Sequence, residues 1–342
     1  MREVLGTLRF TLALLVVMNH IWLPTANKVG AHAVLGFYVI SGFLMTRILC
    51  ETYVGPRGRI RYFANRFLRL YPGYWLVTTL TLTGLVAFPA YFGNIHGAIR
   101  IPRSGYEWLQ NVTLFDHIDA PLRLVPPAWS LSVEWVFYIL IGAGISRRVG
   151  WTMAWWLASL VYTIFLIVSG VSFGERYTPP LAASLFFSTG AVIYHWMKRS
   201  QPPSVTSCNW VWWLQLGLFC IFPLAVEAVG QDPRMIGFYG AYALFLPLFV
   251  QANGITPSEQ WKKPDRFLGD LAYPVFLSHY LSTGLANLCS GNSLSPGGLV
   301  HFTISLAFCL ALSIGMVRLL DPELKRLRDR IRPAAQLQSG CK

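Results

Sequence analysis

The chain has 342 residues, of which 54% are hydrophobic and 13% are charged. The hydrophobic residues form long runs, so the composition excludes an ordinary soluble domain and indicates an integral membrane protein. The net charge of +13 does not indicate nucleic-acid binding, because the Lys and Arg residues lie between the hydrophobic runs and not on one amphipathic face.

Ten hydrophobic segments are long enough, or nearly so, to cross a hydrocarbon core of about 30 Å as helices. Glu134 interrupts the fourth segment, and the eighth is short. The predicted fold is therefore all-α, a polytopic membrane helix bundle of about 10 transmembrane helices. The predicted spans are residues 4–24, 31–50, 71–92, 128–146, 151–170, 179–197, 209–228, 235–252, 268–289 and 297–320.

The basic residues predict the orientation of the bundle. They collect after every second span, and such loops normally lie on the cytoplasmic side. This pattern places both termini in the cytoplasm. The first span lacks a small-residue cleavage site after it, so we interpret it as a retained helix and not as a signal peptide. We expect residues 1–325 to form a single transmembrane domain and residues 326–342 to form a short basic cytoplasmic tail.

The first span carries two ionisable side chains, Arg9 and His20. Such groups are costly in a lipid bilayer, so they normally face the protein interior and have a function. A separation of eleven residues is about three helical turns, which places both side chains on one face, about 16 Å apart along the axis. We expect this face to carry the chemistry.

The second span and the stretch after it hold two further features. Gly42, beside Ser41, favours a close contact between helices. Arg66 and Arg69 are three residues apart and share a helical face near the membrane surface. Guanidinium groups bind phosphate oxygens bidentately, which suits a phosphate-bearing ligand, but Arg also collects here to fix orientation or to contact anionic lipid. For these two residues, both interpretations stay open.

The fourth span has a polar stripe, because Ser130, Glu134 and Tyr138 recur every four residues. An unpaired carboxylate in the membrane is costly, so Glu134 is expected to meet His20, Arg9 or a substrate hydroxyl. A structural ion pair is the alternative interpretation of Glu134, and we favour the functional one.

The predicted topology sorts the ionisable groups by depth. His20, Glu134 and, in the ninth span, His279 fall in the outer half of the membrane. The groups near the inner face are Arg9, Arg66 and Arg69. The six cysteines show no metal-ligand spacing, so neither a metal site nor a disulfide framework is predicted.

Five stretches of the sequence, in this order along the chain, together resemble acyltransferase family 3, the bacterial membrane-bound O-acyltransferases. They are an Arg followed after ten residues by His in the first span, and then FYVISGFL, RFLRLYPGYW, PPAWSLSVEWVFY and LAYPVFLSHY. The resemblance covers nearly the whole chain. The departures from the family pattern are Gly6 and Leu35 in place of Asp, Asn65 in place of Arg, and Trp135 in place of Glu.

The resemblance implies an O-acyltransferase of the cytoplasmic (inner) membrane. Such an enzyme transfers an acyl group, usually acetyl, from cytoplasmic acyl-coenzyme A to a hydroxyl of an extracytoplasmic carbohydrate such as O-antigen, exopolysaccharide or lipo-oligosaccharide. Acetyl-CoA or another acyl-CoA is then a co-substrate, and no permanently bound cofactor is expected. The expected partners are this donor, a carbohydrate or lipid-linked glycan acceptor, and membrane lipid.

Residue roles follow from the resemblance position by position. His20 and Glu134 are expected to be catalytic, with the histidine as general base and the carboxylate orienting it, and an acyl-histidine intermediate is equally compatible. The residues expected to bind the coenzyme are Arg9, Arg66 and Arg69. The residues expected to bind substrate are His279, which matches a histidine of the family, and Ser130 and Tyr138, which share the polar stripe of Glu134.

Two other functions remain as alternatives. A multi-pass transporter or exporter also uses intramembrane His, Arg and Glu as a proton or substrate relay, but the chain shows no convincing internal repeat. An inactive relative that only binds donor or glycan is disfavoured by the presence of both His20 and Glu134. For the enzyme, acceptor choice is expected to lie in the outer loop at residues 92–125, which carries His96, Tyr106, Trp108 and His117.

Overall fold

A computed structural model describes residues 5–22, 29–55, 57–200, 205–206, 210–256 and 258–331. The described chain is helical apart from its connections and a two-residue parallel strand pair, β1 (Val205–Thr206) with β2 (Ile255–Thr256). The helices are α1 (Leu5–Ile21), α2 (Gly30–Glu51), α3 (Gly58–Ala87), α4 (Pro89–Phe92), α5 (Gly105–Thr113), α6 (Trp129–Ala143), α7 (Val149–Val168), α8 (Phe173–Tyr177), α9 (Pro180–Ser200), α10 (Trp210–Ala228), α11 (Phe238–Gly254), α12 (Glu259–Ser290), α13 (Leu299–Leu319) and α14 (Asp321–Ile331). A 3-10 turn, Pro126–Ala128, precedes α6, and a π-helical turn, Pro233–Gly237, precedes α11.

The all-α prediction is confirmed, and each of the ten predicted spans coincides with a helix. The two largest differences are α3 and α12, which begin at Gly58 and Glu259, well before the predicted spans. Hydropathy marks only the apolar part of a helix, whereas the charged turns at these two starts are equally helical. Within the described residues, five helices are long and apolar enough to cross a membrane, namely Gly30–Glu51, Val149–Val168, Trp210–Ala228, Pro233–Gly254 and Leu299–Leu319. The remaining crossings and the cytoplasmic termini stay predictions.

The chain folds into two compact units whose segments alternate along the sequence. The first unit is drawn from Met1–Phe37, Leu76–Ala128 and Pro202–Val317. The second is drawn from Tyr38–Trp75, Trp129–Gln201 and Arg318–Lys342. The single transmembrane domain at residues 1–325 stays a prediction. Residues 332–342 of the predicted tail lie outside the part of the chain that the structure describes.

The surface of α7 is typical of a helix in lipid. This helix exposes apolar side chains at Val161, Phe165 and Val168. Its polar face is buried instead, where Trp155 Nε1 donates to Ser184 Oγ of α9 at 2.8 Å. Apolar groups outside and hydrogen-bonded polar groups inside are stable in a hydrocarbon solvent, so this pattern indicates a membrane-facing helix.

The predicted close helix contact at Gly42 is confirmed within the second unit. A Cβ atom at Gly42 would overlap the backbone carbonyl of Phe187 on α9. Gly190 of α9 faces α2 in the same way, against the carbonyl of Val39. Two glycines thus let the backbones of α2 and α9 touch, which is how helices associate where no hydrophobic effect drives them together.

Candidate functional site

In the first unit, α1 and α12 are parallel neighbours that contact each other at both ends. At the start of α1, the Asp265 carboxylate accepts hydrogen bonds from Gly6 N at 3.1 Å and from Thr7 N at 2.7 Å. Fourteen residues further along each helix, His20 meets His279. The same offset of 259 residues applies at both contacts, so the helices stay in register over about 21 Å.

Two glycines make this pairing possible. A Cβ atom at Gly269 would lie 2.9 Å from Gly6 Cα, and a Cβ atom at Gly6 would overlap the backbone carbonyl of Asp265. Arg9 lies one turn further along α1, with its guanidinium beside Gly269. The departure from the family pattern at Gly6 therefore has a physical reason, because no side chain fits there.

The imidazoles of His20 and His279 form a hydrogen bond in which His20 Nδ1 and His279 Nε2 are 3.1 Å apart. The ring planes differ by 6°, which suits an in-plane N–H donating to an in-plane lone pair. His279 is fully buried, whereas His20 is exposed. The structure thus joins two histidines that the sequence placed only at similar depth.

Hydrogen-bond partners fix the neutral tautomers of this pair. His279 Nδ1 is 2.8 Å from the carbonyl oxygen of Phe276, which can only accept. The proton of neutral His279 therefore lies on Nδ1, and its Nε2 is an acceptor. It follows that His20 donates from Nδ1, so its proton lies on that atom and His20 Nε2 carries an unprotonated lone pair. This is the protonation that a general base or a nucleophilic imidazole needs.

Tyr280 adds an aromatic wall to the histidine pair. Its ring centroid lies 5.4 Å from that of His20 and 4.6 Å from that of His279. On another side it meets the ring of His96 from the outer loop, at 5.2 Å. Sequence reasoning missed both Tyr280 and the nearness of His96 to this pair, because no periodicity connects the loop to α12.

In the second unit, Arg66 lies between two tyrosines. Its guanidinium carbon is 6.0 Å from the ring centroid of Tyr62 and 5.7 Å from that of Tyr138. Arg66 is only 8% exposed, and its terminal nitrogen donates to Asn65 Oδ1 at 3.1 Å. Arg69, one turn later, is half-buried. A cation held against two aromatic faces and buried this deeply differs from a solvated topological anchor.

The predicted polar stripe of α6 is partly confirmed. Tyr138 Oη donates to Glu134 Oε1 at 3.0 Å, as the four-residue spacing predicts. Ser41 Oγ of α2 donates to the same carboxylate oxygen at 2.6 Å. Ser130 is buried in the first turn of α6. The proposed pairing of Glu134 with His20 stays a prediction.

Four buried donor atoms in the Arg66 region lack a hydrogen-bond acceptor within the described part of the chain. They are Tyr62 Oη, Asn65 Nδ2, Arg66 Nε and Trp135 Nε1. Native proteins rarely leave buried donors unsatisfied without a functional reason, because each costs about 1–3 kcal/mol. The cluster therefore has the donor chemistry to bind a ligand rich in oxygen acceptors. Among the described residues, no group of three His, Cys, Asp or Glu could hold a metal ion.

Comparison with known proteins agrees with the sequence motifs. A family model described as an acyltransferase domain matches residues 4–318. The exopolysaccharide production protein ExoZ of Rhizobium meliloti (strain 1021) is 25% identical over 279 residues, which cover 74% of this chain and 78% of ExoZ. An uncharacterized protein of Aquifex aeolicus (strain VF5) is 21% identical over 229 residues, which cover 65% of this chain and 97% of that protein. No solved structure matches the chain.

Proposed function

The chain belongs to the acyltransferase family that it matches over nearly its whole length, and on this premise we propose that it transfers an acyl group from acyl-coenzyme A to a carbohydrate hydroxyl outside the cytoplasmic membrane. The observation that carries the proposal is the unprotonated Nε2 of the exposed His20, which its hydrogen bond to His279 fixes. ExoZ is named as an exopolysaccharide production protein, which supports an exopolysaccharide as the acceptor class, and acetyl is the proposed acyl group.

The proposed reaction begins at His20 Nε2. This atom removes the proton of the acceptor hydroxyl while the oxygen attacks the thioester carbonyl carbon. The carbon–sulfur bond then breaks, and the leaving thiolate takes the proton from the imidazolium. The products are the carbohydrate ester and free coenzyme A. If the acyl group instead passes through an acyl-histidine, it is the same Nε2 that attacks the thioester first.

His279 is proposed to position His20 during this cycle. Its Nε2 accepts the Nδ1 proton of His20, and Phe276 holds His279 in the required tautomer through its carbonyl. The same hydrogen bond stabilises the imidazolium that forms when His20 takes a second proton. The arrangement follows the logic of a base oriented by a neighbouring acceptor, with a neutral imidazole where serine hydrolases have a carboxylate.

The donor is proposed to bind through the arginines. Arg66 is supported by its Nε, which has no acceptor among the residues that the structure describes, and by the buried donors Tyr62 Oη and Asn65 Nδ2 beside it. These donors match the oxygen-rich phosphate and pantetheine groups of coenzyme A. Arg69 and Arg9 are proposed to contribute further phosphate contacts. The roles of Glu134 in catalysis, and of Ser130, Tyr138 and His279 in substrate binding, stay predictions from the sequence.

The test uses the purified protein in lipid vesicles with acetyl-CoA and exopolysaccharide taken from cells that lack the gene. We expect acceptor-dependent release of free thiol together with an equal amount of ester on the polysaccharide. Movement of labelled polysaccharide or donor across the vesicle membrane without thiol release would instead identify a transporter and contradict the proposal.

A further inference from the structure

The outer loop is fixed on α12 directly beside the histidine pair. The ring of Phe92 fills a notch between Gly84 of α3 and Gly284 of α12, where a Cβ atom on either glycine would collide with it. One turn further along α12, Asn287 Nδ2 donates to the carbonyl of Tyr91 at 3.2 Å. The loop that follows Phe92 therefore starts from a rigid point, one turn of α12 away from Tyr280.

His96 follows four residues later, and its ring is held in one orientation. Ala98 N–H donates to His96 Nδ1 at 3.1 Å, and the carbonyl of Ala98 accepts from Arg123 N at 2.8 Å. Because Nδ1 accepts the hydrogen bond from Ala98, the neutral ring carries its own proton on Nε2. Partial desolvation, and then the positive charge of Arg123, lower the pKa of His96, which favours this neutral form.

The position of His96 complements that of His20. Both side chains are exposed and both rings pack against Tyr280, with centroids at 5.2 Å and 5.4 Å. In these neutral tautomers the two Nε2 atoms differ, because His20 Nε2 carries a lone pair that can accept and His96 Nε2 carries a proton that can be donated. The loop also exposes the aromatic rings of Tyr106 and Trp108.

Building on the proposed acyltransferase function, we infer that His96 binds the carbohydrate acceptor and selects which hydroxyl is acylated. His96 Nε2–H donates to one hydroxyl oxygen of a sugar while His20 Nε2 accepts the proton of another hydroxyl of the same sugar. A sugar with two suitably spaced hydroxyls satisfies both nitrogens, whereas a thioester offers no proton for His20. His96 is therefore assigned to the acceptor and not to the donor.

The experiment compares replacements of His96 in vesicles supplied with acetyl-CoA and de-O-acylated exopolysaccharide. H96M removes the N–H donor, whereas H96Q keeps an N–H donor on a side chain of the same length. N94L, at another exposed position of the same loop, is the matched control. We expect H96M to raise the KM for the polysaccharide about 2- to 12-fold, as loss of a neutral hydrogen bond does. H96Q and N94L should stay within about twofold of the wild type, and the KM for acetyl-CoA should not change.

The control outcomes separate this inference from the proposed function. An active wild type with equal acceptor KM values for H96M and H96Q overturns the role of His96 alone, as does a change confined to the donor KM. A wild type that forms no ester overturns the proposed function. If H96M does not fold, H96A replaces it, and added imidazole is expected to restore the acceptor KM of that variant. Failure of imidazole to do so counts against the inference.

Discussion

Replacing His279 by Leu tests how His20 is held. The change removes His279 Nε2, which lies 3.1 Å from His20 Nδ1 and accepts its hydrogen bond. The Nδ1–H group of His20 is then left without this acceptor. An unsatisfied donor of this kind costs about 1–3 kcal/mol, and the loss falls on the state in which the imidazolium forms. At about 1.4 kcal/mol for each factor of ten, kcat should fall about 5- to 150-fold.

The matched variant is H279Q. Its amide oxygen can occupy roughly the place of His279 Nε2 and accept the same proton, so we expect it to recover most of the lost rate. Initial rates of thiol release in vesicles, measured over a range of acetyl-CoA and polysaccharide concentrations, separate kcat from both KM values. Thermal unfolding midpoints show whether either variant has lost its packing, because His279 is fully buried. A wild-type kcat in H279L, or an equal loss in H279L and H279Q with intact folding, refutes the positioning role.

Three further predictions concern donor binding, packing and pH. R66Q should raise the KM for acetyl-CoA by about 10- to 150-fold, since hydrogen bonds to charged groups contribute about 1.5–3 kcal/mol. R59Q, at an exposed position of the same helix, should leave this KM unchanged. G42A should lower the unfolding midpoint in detergent, because the added methyl group overlaps the backbone of a neighbouring helix at a cost of about 1–3 kcal/mol. G217A should not lower the midpoint, because no atom lies within 4 Å of a Cβ atom at that position. Desolvation, followed by the charge of Arg123, lowers the pKa of His117 to about 4. Neutral His117 therefore does not lower the free energy of unfolding above its unfolded-state pKa of about 6.5, but that free energy falls by up to about 3 kcal/mol as the pH drops to about 4. H117Q should accordingly make the unfolding midpoint depend less on pH. The same slope of midpoint against pH in H117Q and the wild type would contradict this assignment.

The sequence predicted where the helices lie along the chain better than it predicted which helices contact each other. Hydropathy located ten helices, and the depth argument placed His20 and His279 at the same height because both lie similarly far along spans that run outward. That these two helices are adjacent depends on Gly6 and Gly269, which let the backbones approach. One sequence does not reveal which of many small residues face each other, so the contact itself was not predicted.

In the candidate site, likewise, the sequence predicted contacts within a helix but not contacts that depend on tertiary packing. The four-residue spacing predicted that Glu134 and Tyr138 share a face, and their hydrogen bond confirms it. His96 was assigned only to a loop, because its approach to Tyr280 depends on tertiary anchoring of that loop on α12. The tautomer of His20 was likewise out of reach, since it is set by the Phe276 carbonyl through a second residue.

The central claim is that acyl transfer begins at His20 Nε2, and H20A tests it most directly. The measurement is the amount of ester formed on exopolysaccharide by H20A in vesicles with acetyl-CoA, alongside H195Q as a histidine control from the second unit, whose ring bonds the Ser146 carbonyl. We predict that H20A inserts normally and forms no ester, while H195Q retains wild-type transfer. Ester formation by correctly inserted H20A at the wild-type rate would contradict the claim.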